Sequence, residues 1–137
     1  MATTVYANVP ISSSRRRIGA VLAGLPTLFL LVDGLGKVLR LAPVVEGTVV
    51  LGYPESAVVL IGLVELVCVA AYAVPQTSVL GAILVTGYLG GAVATHLRVG
   101  SPLLTHTLFP VYLGVLVWGA LFLMEDRLPA LLPLRRT

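Results

Sequence analysis

Four long apolar stretches constrain this chain more than any other feature of its sequence. They cover about residues 18–39, 55–74, 78–97 and 105–124, and each is close to the ~20 residues that a helix needs to cross the hydrocarbon layer. Their apolar residues run consecutively, whereas strands of a membrane barrel would alternate polar and apolar side chains. In the whole chain 58% of residues are hydrophobic and 11% are charged, which excludes a water-soluble domain and intrinsic disorder. We therefore predict an all-α membrane protein in a lipid bilayer, folded as an antiparallel four-transmembrane-helix bundle.

Basic residues flank these stretches unequally. About six lie next to the two ends of the chain and about three on the opposite side of the predicted bundle. Because basic residues are retained on the cytoplasmic side of a membrane, we expect both termini in the cytoplasm and a multi-pass protein of the cell (inner) membrane. Segments 1–17 and 127–137 are then short basic tails around a transmembrane domain at 18–126. The two sets are Arg15, Arg16, Arg17, Arg127, Arg135 and Arg136 against Lys37, Arg40 and Arg98.

The first apolar stretch also has to be distinguished from a signal peptide, because three arginines precede it. The stretch runs well past the length of a signal-peptide core, and no site of small residues closes it before Asp33. We therefore expect it to be a membrane span.

The sequence also excludes several kinds of chemistry. Cys68 is the single cysteine, so an internal disulfide, a thiolate metal cluster and a Cys-x-x-Cys redox centre are ruled out. The spacing of histidines and carboxylates favours neither haem nor a metal site, and the glycines after Asp33 lack the strand that a phosphate-binding loop requires. The net charge of +3 is too small to indicate nucleic-acid binding. We expect no metal, no cofactor and no nucleic-acid partner.

Small residues are expected to hold the helices together. Lipid tails are as apolar as leucine side chains, so membrane helices associate where small residues let their backbones approach. Five glycines in the third and fourth stretches are placed to do this: Gly81, Gly87, Gly90, Gly91 and Gly114.

Ionisable residues inside a membrane are costly, so each of them is a candidate for function. Four lie in the predicted spans and are our candidate catalytic residues: Asp33, Lys37, Glu65 and His96. Glu65 is ten residues into the second stretch, which at about 1.5 Å per residue places it roughly 15 Å from the start, near the bilayer centre. Tyr88 reaches a comparable depth in the third stretch and is the expected hydroxyl partner of Glu65. Tyr88, Thr95 and Arg98 are the candidate ligand-binding residues.

Each candidate also has a structural interpretation. Asp33 and Lys37 are four residues apart and can pair along one helix, with Lys37 extending to the membrane surface. His96, near a helix end, can cap carbonyl groups or lie among lipid head groups. A purely structural Glu65 at the membrane centre would have to be neutral or paired.

Four short motifs lie at the ends and centres of the predicted spans. They are GLGK at 34–37, GLVEL at 62–66, Pro75 with Gly81-Ala82, and THLRVGSP at 95–102. Together they resemble the DoxX-like family over roughly residues 18–127. The resemblance implies a small four-helix bacterial or archaeal membrane protein with the polar positions of the family at Lys37, Glu65 and His96. The family is named after a subunit associated with a quinone-linked thiosulfate oxidation system, and other members are associated with membrane oxidoreductase complexes.

Two functions from different classes fit these residues. In the first, a membrane-embedded acid/base pocket binds a lipophilic small molecule and transforms it by isomerisation, hydration or epoxide opening. Glu65 would exchange a proton and His96 would relay protons outward. Asp33 with Lys37 would polarise an oxygen of the ligand. In the second, the chain is a non-catalytic membrane subunit of a quinone-linked oxidoreductase, and the same residues bond the helices together. The sequence leaves open whether the protein is an enzyme, and whether it forms a homo-oligomer or joins a larger membrane oxidoreductase.

Overall fold

A computed structural model describes residues 11–128. They form five α-helices: α1 (Ser13–Val38), α2 (Ala42–Val50), α3 (Glu55–Ala73), α4 (Ser78–Arg98) and α5 (Phe109–Met124). A 3₁₀ turn at Pro75–Thr77 precedes α4, and a π-helical turn at Leu103–Thr107 precedes α5. No strand occurs between residues 11 and 128. Most of the two predicted basic tails lies outside the described residues.

Four segments are long and apolar enough to cross a membrane, as the sequence predicts. They are Ser13–Val38, Glu55–Ala73, Pro75–Arg98 and Leu103–Met124. The helix α1 begins five residues before the predicted stretch because Ser12 caps it, and the Ser12 hydroxyl accepts a hydrogen bond from the Arg15 backbone N–H at 3.3 Å. The arginines that precede the first stretch are therefore part of the helix.

A helix that the sequence analysis does not anticipate, α2, connects the first two spans. It has nine residues, with proline in its first turn, where a missing N–H costs no hydrogen bond. It packs closely on the end of α1, since a Cβ added at Gly36 would lie 2.9 Å from Cγ2 of Val44. Nine residues are too few to cross a bilayer, so the length of an apolar stretch does not indicate this helix.

The four long helices share one interior. The helix α1 packs against α3 and α5, and α4 packs against the same two helices. The outward faces are apolar as well: Val21, Val67 and Val115 are exposed by 65%, 65% and 66%. A charged residue, Glu65, is fully buried instead. An apolar exterior with polar groups inside is the arrangement that surrounding hydrocarbon favours, and the molecule is an all-α membrane protein.

The predicted glycine packing is present only in part. A Cβ at Gly81 would clash with the backbone of Tyr72, so glycine is required where α4 passes the end of α3. A Cβ at Gly114 would make an ordinary contact of 3.8 Å with Leu89. Three glycines on α4 have no atom of this chain's described part within 4 Å of the Cβ position: Gly87, Gly90 and Gly91. For these three the prediction of close helix contact within the chain is wrong, because they lie on an open face of α4.

Candidate acid/base site

Four of the predicted site residues form one hydrogen-bonded network in the interior. The Lys37 ammonium donates to Oε2 of Glu65 at 2.9 Å and also pairs with the Asp33 carboxylate one helical turn earlier. The Tyr88 hydroxyl donates to the same Glu65 oxygen at 2.8 Å. The network joins α1, α3 and α4, and it includes the Glu65–Tyr88 contact that the sequence predicts.

The network residues differ in their access to the surroundings. The Glu65 side chain is 1% exposed and that of Lys37 is 9% exposed, whereas the Asp33 side chain is 34% exposed. Asp33 is therefore the charged member of this network that a molecule outside the bundle can reach most directly.

A close approach of α1 to α3 brings Lys37 to Glu65. A Cβ added at Gly62 would lie 2.6 Å from Cβ of Lys37 and 2.8 Å from the Gly34 carbonyl oxygen. Glycine at position 62 therefore provides the space that Lys37 occupies on α3. Since side chains three residues apart lie on one face of a helix, Glu65 then points toward the same partner.

The level of Lys37 in the bundle differs from the interpretation in which it extends to the membrane surface. Lys37 lies beside Gly62, which is seven residues after the start of α3 and therefore roughly 10 Å along its axis. Its ammonium bonds inward to Glu65. Lys37 takes this inward position because α1 ends one residue after it, and the segment with α2 continues the chain beyond it.

One oxygen of the Glu65 carboxylate has no partner. Oε2 accepts both hydrogen bonds of the network, while Oε1 is fully buried and is the one such side-chain atom without a hydrogen bond among residues 11–128. An unpartnered buried acceptor costs roughly 1–3 kcal/mol, and more when charged. Oε1 is thus free to bind a proton, a water molecule or a donor group of a ligand.

The ionised groups of the network do not balance. With all three groups ionised, Asp33 and Glu65 would contribute two negative charges and Lys37 one positive charge, so the network would hold one excess negative charge. The Tyr88 hydroxyl stabilises a carboxylate by hydrogen bonding but carries no charge that offsets it. A single bound proton or a cationic ligand group would complete the balance.

The other three predicted site residues form a separate layer at the end of the bundle near α2. The Thr95 hydroxyl lies 2.9 Å from the Tyr53 hydroxyl, and Arg98 donates to the Leu51 carbonyl at 2.8 Å. In the last turn of α4, His96 lies eight residues after Tyr88, which is roughly 12 Å along the helix.

His96 has local partners in this layer. Its Nδ1 is 3.0 Å from the Ser101 hydroxyl, and its ring centroid is 6.0 Å from that of His106. None of the hydrogen bonds of His96, Thr95 or Arg98 reaches Glu65. The contact of Tyr53 with Thr95 does not follow from the sequence, because it depends on how the turn before α3 is positioned against α4.

Metal-ligating residues do not cluster in the described part of the chain. No group of three or more histidine, cysteine, aspartate or glutamate side chains is placed to hold a metal ion there. Cys68 is buried one turn after Glu65 and forms no disulfide.

A cavity of the described chain lies away from the network. It has a volume of about 370 Å³ and opens between α4 and α5. None of Asp33, Lys37, Glu65 or Tyr88 lines it. Its walls are almost entirely apolar and include Leu89, Gly90, Val93, Val111, Gly114 and Trp118.

Comparison with known proteins supports the resemblance that the motifs indicate. The sequence profile of the DoxX-like family matches residues 21–120, a range that contains all four residues of the network. No curated protein and no solved structure matches the chain. A profile match over most of the chain, together with four helices of membrane-spanning length, is sufficient to assign the family. The chain belongs to the DoxX-like family.

Proposed function

We propose that this protein contains a membrane-embedded acid/base site, centred on Glu65, that binds a lipophilic small molecule and exchanges a proton with it. The observation that carries this proposal is the free Oε1 of a fully buried glutamate whose other oxygen already accepts two hydrogen bonds. A group that served only to join helices would use both oxygens, because each unpaired acceptor in an apolar interior is costly.

The charges of the network support the same proposal. A charge at the bilayer centre costs about 3 kcal/mol or more, and full ionisation of Asp33, Lys37 and Glu65 would leave one negative charge uncompensated. A ligand that is neutral or cationic and carries a hydrogen-bond donor fits this environment. An anionic ligand would add to the imbalance.

The residues of the network take different roles in the proposal. Glu65 donates and accepts the proton, and Lys37 and Tyr88 fix the orientation of its carboxylate through Oε2. Asp33, which is partly exposed, supplies the contact through which a molecule in the lipid reaches Lys37. Thr95, Arg98 and His96 do not bond to this network. Any part that they take in binding or proton relay would therefore be played in the separate layer near α2.

The reactions that suit this site need proton transfer without an electron acceptor. Isomerisation, hydration and epoxide opening are of this kind, since one group removes a proton or activates water while another protonates the product. If the protein transforms its ligand, reaction products should co-purify with it. If it only binds the ligand, the unchanged compound alone should co-purify.

The first experiment compares Glu65→Gln with Glu55→Gln. Both changes replace a glutamate of α3 by its isosteric amide, but Glu55 is 66% exposed and pairs with Arg40 at the helix start. Each protein is solubilised in mild detergent, and solvent-extracted small molecules and co-purifying proteins are identified by mass spectrometry. We expect a lipophilic compound with the native protein and with Glu55→Gln, and its loss with Glu65→Gln. The same compound at an unchanged amount in a folded Glu65→Gln protein would refute the proposal.

A second candidate function is a non-catalytic subunit of a quinone-linked oxidoreductase. The open glycine face of α4 favours it, because Gly87, Gly90 and Gly91 leave room for another helix to approach. The same mass spectrometry separates the two functions. A stoichiometric oxidoreductase partner retained with both variants, and no bound compound, would favour the subunit.

We also propose an antiparallel bundle in the cell (inner) membrane with both termini in the cytoplasm. The contact of Arg15 with the Phe122 carbonyl at 2.7 Å supports it, because the start of α1 then lies beside the end of α5. The distribution of basic residues between the two ends of the bundle supports the orientation as well. Because Lys37 belongs to the buried network, only Arg40 and Arg98 of the three predicted basic residues count at the end near α2.

A further inference from the structure

Arg98, at the end of α4, is held in a fixed position above the turn between α2 and α3. Its guanidinium group donates to the Leu51 carbonyl at 2.8 Å and lies 6.0 Å from the centre of the Tyr53 ring. Gly52 has a φ of 89°, and a Cβ at this position would lie 3.0 Å from Nη2 of Arg98. A glycine that accepts a left-handed backbone is therefore also what makes room for the guanidinium group.

The charge of Arg98 has no carboxylate partner among residues 11–128. The other arginine at this end, Arg40, forms an ion pair with Glu55 at 3.1 Å. Arg98 is bound by a carbonyl and an aromatic ring and stays exposed. Most of its five N–H donors are therefore free to bind an anion, and a guanidinium group suits the geometry of phosphate.

Exposed aliphatic side chains occur at this end of the bundle, both on the segment that contains α2 and beside Arg98. Leu39 is 68% exposed and Val50 is 78% exposed, at the two ends of the segment that contains α2. Leu97 and Val99 flank Arg98 itself and are also exposed. Aliphatic side chains placed in this way need a hydrocarbon environment.

The level of α2 agrees with such an environment. The helix α1 ends beside Gly62, roughly 10 Å below the start of α3 by helical rise. The segment 39–54, which contains α2, therefore lies next to the first two turns of a membrane-spanning helix.

We propose that α2 is embedded in the boundary between lipid tails and head groups, and that Arg98 binds the phosphate of an anionic phospholipid there. The exposed aliphatic side chains contact the acyl chains, and the fixed guanidinium group contacts the head group. Arg40 does not take this role, because Glu55 already neutralises it.

The test places a fluorescent reporter on α2 in the full chain. Trp118 is the single tryptophan, so Val50→Trp in a Trp118→Phe background reports from this surface alone. The protein is reconstituted in phosphatidylcholine nanodiscs that contain a minor fraction of either brominated phosphatidylglycerol or brominated phosphatidylcholine, and quenching is compared. We expect quenching by both lipids, and an about five-fold local preference for phosphatidylglycerol, the size that one basic residue at a membrane surface confers.

Two arginine variants at the same end decide the role of Arg98. Arg98→Gln is expected to abolish the preference, and the matched control Arg40→Gln to keep it. A preference that survives Arg98→Gln, or falls equally with Arg40→Gln, would overturn the assignment. An absence of quenching by both lipids would overturn the embedding of α2.

Further measurements keep the test decisive if Arg98→Gln does not fold. Circular dichroism checks helix content, and Arg98→Lys is expected to retain part of the preference because its charge remains. Complete loss in a folded Arg98→Lys protein would contradict the proposal. Inorganic phosphate is expected to leave quenching unchanged, whereas displacement of the lipid would identify a soluble anion as the ligand instead.

Discussion

At the scale of single residues, the informative feature is the unequal use of the two Glu65 oxygens. Oε2 accepts from a lysine and a tyrosine, and Oε1 accepts from no group in the described chain. Membrane interiors rarely tolerate an unpaired polar atom. The carboxylate is therefore held in place through Oε2 while Oε1 has no bonding partner among residues 11–128, which is what the proposed proton exchange at Glu65 requires.

Tyr88→Phe tests how strongly the network depends on its hydroxyl donor. The change removes one hydrogen bond to a carboxylate, and we expect the free energy of unfolding in detergent to fall by about 1.5–3 kcal/mol. The control is Tyr72→Phe, which removes a hydrogen bond of 3.0 Å to the neutral Val117 carbonyl and should cost about 0.5–1.5 kcal/mol. Chemical denaturation followed by circular dichroism measures both. Equal losses would show that Tyr88 gains nothing from the charge of Glu65.

Part of this site can be predicted from residue counting. The depth of Glu65 and the matching depth of Tyr88 follow from helical rise along two adjacent spans. The Lys37–Glu65 bond does not follow, because it depends on where α1 ends relative to α3. The position of this end depends on α2 and on the contact of Gly62 with Lys37, and residue spacing within a single helix predicts neither.

At the scale of elements, the glycines form two groups: some lie in close contact with a neighbouring helix, and others have no neighbouring helix within residues 11–128 at the Cβ position. Gly62 receives Lys37 and Gly81 receives the end of α3, whereas Gly90 meets no atom of the described chain within 4 Å. Sequence spacing alone treats the glycines of α4 as equivalent. Only the rotation of each helix about its axis separates the two groups, and that rotation is decided by the packing of all four helices.

Gly62→Ala is expected to break the approach of α1 to α3. The added methyl group would overlap Cβ of Lys37 and the Gly34 carbonyl, so we expect a loss of about 1–3 kcal/mol in unfolding free energy. Gly90→Ala is the matched control, where the higher helix propensity of alanine predicts no loss, or a gain of up to about 1 kcal/mol. Thermal and chemical unfolding in the same detergent compare the two proteins. A Gly62→Ala protein as stable as the control would show that α1 and α3 can separate at little cost.

At the scale of the whole molecule, the sequence predicts the class of fold and the number of long apolar helices. Runs of about twenty apolar residues have no other stable arrangement, because every backbone group in hydrocarbon must bond within its own segment. The same reasoning does not predict α2, because α2 has only nine residues. This helix forms where α1 ends inside the bundle, and that end point depends on how the helices pack together.

The proposed membrane orientation is a prediction about the whole chain. Cysteine introduced at Arg16, at the exposed start of α1, should react with a membrane-impermeant maleimide only when the cytoplasmic face is open. Cysteine at Glu46 on α2 should react from the opposite face. The native Cys68 is buried, and a Cys68→Ala background removes its contribution. Labelling with the two faces exchanged would reverse the orientation, and labelling of both positions from the same face would refute it.

The helix α5 contributes no side chain to the charged network, which α1, α3 and α4 assemble among themselves. Its side chains fill the interior against α1 and α4, and it supplies a backbone carbonyl to Tyr72. The helix α5 therefore completes the packing of the bundle, while the charged residues come from the other three long helices. Substitutions in α5 among apolar residues of similar volume are therefore expected to change the lipid-facing wall and leave the residues of the network in place.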